Sequence, residues 1–104
     1  MKSTVKLSSF VIAVAIAASP LTAALAYNGQ EFAPQAKVTL EQARAVALKA
    51  FPGTITDEEL EKESGGSGLR YSFDIKSGAA THEVGVDAQA GTVLENSVEG
   101  AHTD

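Results

Sequence analysis

The sequence predicts an α+β domain in which one N-terminal helix packs on an antiparallel sheet of three or four strands. Three observations carry this reading. A capped helical segment runs from Thr39 to Ala50 and is closed by Phe51-Pro52-Gly53. Between Leu69 and Lys76 apolar and polar residues alternate strictly, the period of a half-buried strand. A strand-turn-strand pattern then runs from Val84 to Leu94 through Asp87-Ala88-Gln89-Ala90-Gly91.

The chain has 104 residues, and its first 26 have the character of an export leader. Lys2 and Lys6 make a positive start, and no acidic residue occurs before Glu31. A nine-residue apolar run from Phe10 to Ala18 precedes the breaker Ser19-Pro20, and Ala24-Leu25-Ala26 presents the small residues of a cleavage site. That run is far short of the roughly 20 residues needed to cross a bilayer. The expectation is therefore a signal peptide over 1–26, cleavage after Ala26, no membrane span afterwards, and an exported product, with the periplasm favoured and the extracellular space the alternative. Cysteine is absent, which excludes a lipid anchor on cysteine and any disulfide framework.

Removal of the leader leaves six basic and thirteen acidic residues, a net charge of −7. That sign argues against nucleic acid and anionic membranes as partners, while it suits a basic protein surface. A domain of this size without staples has a net stability of only about 3–5 kcal/mol, which disfavours a deep catalytic pocket.

Tyr27 to Lys37 is polar, contains Asn28-Gly29 and Pro34, and reads as a flexible lead-in. Thr39 is placed as the helix N-cap, with Gln42 three residues on completing a capping box. Leu40, Ala43, Val46, Ala47 and Ala50 recur at helical spacing, and their small size lets the helix approach a sheet closely. Proline at 52 cannot continue the helix and steers Phe51 out of it. From Thr54 to Glu63 local code and context disagree. Thr56-Asp57-Glu58-Glu59 is a second capping-box pattern, yet the apolar Ile55 and Leu60 form no helical stripe. The context, between Pro52-Gly53 and Ser64-Gly65-Gly66-Ser67-Gly68, favours an exposed edge strand with charged positions. Tyr71 and Phe73 belong to the core. Asp87 is placed to accept from backbone donors ahead of it, with Gly91 free to take positive φ. A last strand runs from Thr92 to Val98, and residues 100–104 are expected to fray.

No nucleophile sits in a recognisable elbow, and His82-Glu83 lacks the second histidine of a zinc-protease helix. No cofactor or metal is implied. The acidic segment 57–63 offers hard oxygen ligands to a cation, but it lacks the spacing and glycine of an EF-hand loop. The segments that present backbone to a partner are the edge at Thr54, Thr56 and Glu58 and the loop at Gly65 and Gly66, where an added strand or extended peptide could pair.

Thr39-Leu40-Glu41-Gln42-Ala43, Ala47-Leu48-Lys49-Ala50 with Pro52-Gly53, Leu60-Glu61-Lys62-Glu63, Tyr71-Ser72-Phe73-Asp74-Ile75 and Gly91-Thr92-Val93-Leu94 stand in an order that resembles a PepSY domain. The resemblance runs from Lys37 to Glu99 and places the module at 38–99. Ala90 replaces the threonine or lysine common before the glycine, and Gly85 replaces a larger strand residue. The same module occurs in propeptides of thermolysin-like metallopeptidases and in envelope proteins with regulatory roles. What the resemblance implies is a non-catalytic exported module that regulates or inhibits a peptidase or another envelope protein. It supplies no catalytic residue. The alternative is a small-ligand or cation-binding envelope protein using segment 57–63.

Overall fold

A computed structural model describes residues 26–99. The leader read over 1–26 and the fraying tail over 100–104 lie outside the described residues, apart from Ala26.

The helix forms where its cap says it should. In α1 (Leu40–Ala50) the Thr39 hydroxyl accepts from the Gln42 backbone N–H at 3.1 Å, and the Gln42 side chain accepts from the Thr39 N–H at 2.9 Å. Phe51 leaves the helix in an extended conformation ahead of Pro52. Four strands follow, β1 (Thr54–Lys62), β2 (Leu69–Ser77), β3 (Ala80–Asp87) and β4 (Val93–Val98), in the order β1-β2-β3-β4, each antiparallel to the next. Segment 54–62 is thus the edge strand that its context favoured. A helix there would leave Ile55 and Leu60 without a shared face, whereas the strand turns both onto Ile75 and Tyr71 of β2.

The helix lies on one face of the sheet, against β2, β3 and β4. Ala43 and Ala47 are fully buried beneath it, facing a core of Leu60, Tyr71, Phe73, Ile75, Val84 and Val86. Leu40 and Val46 are half-buried and Ala50 is exposed, so the helix makes its closest approach through two alanines rather than the whole predicted stripe. The Tyr71 hydroxyl donates to the Val38 carbonyl at 2.7 Å, and the N–H groups of Lys37 and Val38 both bond the Ala88 carbonyl at 2.9 Å. These bonds tie the helix entry to the β3–β4 turn.

The stretch 27–37 has more structure than its polar composition predicts. It holds a 3-10 helix, Gln30–Gln35, whose Phe32 and Ala33 pack against the core. Lys62 Nζ sits 5.0 Å from the centre of the Phe32 ring. Asn28 pairs with the outer side of β1 in a one-residue parallel bridge to Glu59, and its carbonyl accepts from the Leu60 N–H at 2.9 Å. Gly29 makes this possible. It sits at φ 88°, and a Cβ there would overlap the Leu60 carbonyl oxygen. Gly29→Val combines left-handed strain with that overlap and is expected to cost about 2 kcal/mol. Native-state hydrogen exchange checks it: the Leu60 amide should exchange markedly faster, and an unchanged Leu60 amide would contradict the role given to the bridge.

Candidate functional site

The register sorts every strand residue onto one of two faces. Opposite the helix, the ladder aligns Asp57 with Asp74 and Asp74 with Glu83. The neighbouring rows hold Glu59, Ser72, Gly85 and Glu95, then Glu61, Arg70 and Asp87. This face, which no helix among the described residues covers, is thus an acidic plate assembled from all four strands. Like charges placed directly opposite in a sheet repel. Burial raises the carboxyl pKa of Glu59, Asp74 and Glu83, and neighbouring carboxylates raise each further: Glu61 and Asp57 act on Glu59, Glu99 and Asp57 on Asp74, Glu95 and Asp74 on Glu83. Among the described residues no group of three or more acidic or histidine side chains is placed to hold a metal ion.

Arg70 crosses this plate. Its Nη1 lies 3.2 Å from Glu95 Oε1 and its Nη2 donates to the Ser64 carbonyl at 3.2 Å, with only 9 % of the side chain exposed. The guanidinium lies over Gly85, where a Cβ would come within 3.1 Å of Nη1. The small residue that departs from the resembled pattern thus makes room for the central cation.

Asp87 sits at the end of the plate and is 3 % exposed. Its Oδ1 accepts from the Ser67 hydroxyl at 2.7 Å, the Gln89 N–H at 2.8 Å and the Ala90 N–H at 3.3 Å, and its Oδ2 accepts from the Ser67 N–H at 2.8 Å. Burial pushes its pKa up, but the hydrogen bonds from Ser67, Gln89 and Ala90 outweigh that and hold the carboxyl at about 2.

These two opposed sets give stability a characteristic pH dependence. Acids whose folded pKa is raised cost stability once ionised, and the cost is relieved as pH falls through that raised value. Asp87 has a lowered folded pKa, so its contribution is present above about 3.8 and lost as pH falls toward about 2. The thermal midpoint is expected to rise as the solution is acidified from neutrality, to peak near pH 4 and to fall below it. A monotonic fall from neutral pH would contradict this arrangement.

The structure divides the five residues expected to meet a partner. Thr54, Thr56 and Glu58 lie along β1, and Gly65 and Gly66 lie in the turn at its far end. Gly65 rests beside the Arg70 guanidinium, and Gly66 against the Asp87 carboxylate and Leu94, so the turn folds back over the acidic face. Glu58 faces the helix side, where Arg44 Nε and Nη2 donate to its two oxygens at 2.9 and 2.7 Å. The Thr56 hydroxyl donates to the Asp74 carbonyl at 3.3 Å, beside an irregularity in the ladder between Ile55 and Asp57. The acidic segment 57–63 is therefore split: Asp57, Glu59 and Glu61 join the plate, and Glu58 joins the helix. The reading of 57–63 as one cluster did not include Asp74, Glu83 and Glu95. Strand alternation marked Asp74 and Glu83 as polar positions, but only the register puts them in one row.

Beside β1 lies a cleft of about 340 Å³ bordered by Tyr27, Asn28 and the stretch Ile55 to Glu58. A second, of about 400 Å³, opens between the 3-10 helix, the start of α1 and Tyr71. Tyr27 borders both, and burial raises the pKa of its hydroxyl, with Glu41 and Glu58 adding to the effect. His82 is half-buried, stacked on Phe51 with ring centres 3.7 Å apart, and its Nδ1 lies 2.7 Å from Asn96 Oδ1. Both neighbours give it a packing role at the helix C-terminus. No helix among the described residues is long and apolar enough to cross a membrane.

No curated protein and no solved structure matches the chain. The family described as peptidase propeptide and YPEB domain matches residues 37–96, the span that runs from the helix entry into β4. The chain belongs to this family, PepSY.

Proposed function

We propose that the chain is a non-catalytic, exported binding module that restrains a peptidase or another protein of the cell envelope. The observation that carries this reading is the family match over 37–96, whose description names peptidase propeptides. The geometry supports it: Asp87 caps turns, His82 packs on Phe51, and the surface offers an edge strand and a charged plate. Export rests on the leader-like character of residues 1–26. The proposed contact surface is the edge at Thr54, Thr56 and Glu58 together with the exposed turn at Gly65 and Gly66.

The mature chain, residues 27–104, titrated against the peptidases secreted by the same cell provides the test. Saturable loss of activity of one of them, with a complex stable to gel filtration and the chain left intact, is the expected result. Absence of both inhibition and complex with every one of those peptidases overturns the peptidase reading.

A further inference from the structure

We infer that the side of β1 facing away from β2, from Thr54 to Glu58, takes an extended segment of a partner protein whose side chains alternate basic and apolar. The inference deepens the proposed function and rests on it. β1 is the first strand of the sheet, so among the described residues one side of its backbone has no neighbouring strand. Among the described residues that side is paired only by Asn28, at Glu59 and Leu60. The bridge shows that a chain fits against this edge with an ordinary backbone hydrogen bond, and it stops after one residue because Gly29 turns the chain into the 3-10 helix. Ahead of it lies the cleft of about 340 Å³ along Ile55 to Glu58.

The two faces of the sheet dictate the side chains of the incoming segment. Residues pointing to the uncovered face would fall beside Asp57 and Glu59, at the rim of the acidic plate. Asp57 is exposed and forms no ion pair among the described residues. A lysine or arginine there meets uncompensated negative charge, and it also relieves the repulsion between Asp57 and Asp74. Residues pointing to the helix side meet Ile55 and the Arg44–Glu58 pair, which is already neutralised and asks for no further charge. Main-chain hydrogen bonds would give affinity, and the alternation would give specificity. A glutamate-bearing segment would be refused by the same plate.

The test titrates the isotope-labelled mature chain with a short peptide of alternating lysine and valine, followed by amide NMR. The expected result is shifts at Thr54 to Glu58 and at Asn28. Binding should weaken about tenfold for the Glu-Val counterpart and for the Asp57→Lys chain, and be lost when the peptide's backbone is N-methylated. Shifts centred on Ser72, Glu83 and Ser97, or binding that survives N-methylation, would mean that the peptide lies flat on the plate and would overturn the inference. So would an absence of shifts at millimolar peptide, or concentration-dependent self-association that protects the same edge without peptide. The outcome separates from that of the proposed function. A peptidase inhibited while the edge amides stay unmoved overturns only this inference. An edge that binds the peptide in a chain that complexes no peptidase overturns only the peptidase reading.

Discussion

Asp87→Ala is expected to lower stability by about 3–5 kcal/mol, because it removes a buried carboxylate that accepts from the Ser67 hydroxyl and from the N–H groups of Ser67, Gln89 and Ala90, and so unties two part-buried turns from each other. The whole domain has only about that much to lose. At about 4–8 °C per kcal/mol for a domain of this size, the melting midpoint should fall by well over ten degrees, or folding should be lost. Asp87→Asn keeps one acceptor oxygen and should lose less. It also removes the titrating group, so the decline in stability below about pH 4 should flatten, since about 2 kcal/mol of that decline belongs to the carboxyl. Calorimetry of both variants across the acid range checks this. An Asp87→Asn chain whose acid limb matches the parent's would refute the role given to Asp87.

The second large effect is at Arg70. Arg70→Ala is expected to cost about 2–3 kcal/mol, somewhat less than the loss of a fully buried pair because Glu95 keeps a third of its side chain exposed. The cost has two parts. Glu95 loses its partner, and the carboxylates of the plate lose the cation that runs among them. Arg70→Met together with Glu95→Gln removes both charges and should recover most of the loss. High salt should shrink the single-variant effect by screening the plate. Denaturant unfolding of the two single variants and the double variant measures the coupling, and simple additivity would contradict the account of Arg70. The buried Nε of Arg70 has no hydrogen-bond partner among the described residues, so part of the side chain's burial goes uncompensated in the parent chain.

The helix and the core strands were legible because their signals are local. Thr39 and Gln42 are three residues apart, and Tyr71, Phe73 and Ile75 alternate within one strand, so neither depends on a distant partner. Thr54 to Lys62 was legible only through context. Its own residues favour a helix cap, and what decides for a strand is the burial of Ile55 and Leu60 against β2. The lead-in reads as flexible in the sequence because nothing in Gln30-Glu31-Phe32-Ala33-Pro34-Gln35 announces a 3-10 helix. Its anchor is the Asn28–Glu59 bridge, formed with a strand some thirty residues away and permitted by Gly29. The acidic plate was hidden for the same reason. Asp57, Asp74 and Glu83 are far apart in the chain, and only strand register makes them neighbours. Gly85 is the clearest case: as a strand residue it reads as a weakness, while beneath Arg70 its missing side chain leaves room for the guanidinium, on which a Cβ would press at 3.1 Å.

The central claim is the proposal that this PepSY chain is bound along the edge of β1. Hydrogen exchange of the mature chain, free and in complex with a peptidase that it inhibits, tests the claim most directly. The amides of Thr54 to Glu58 are expected to slow strongly in the complex, while the already protected core of β2 and β3 changes little. Unchanged exchange along Thr54 to Glu58, with protection appearing instead on α1 or β4, would contradict it.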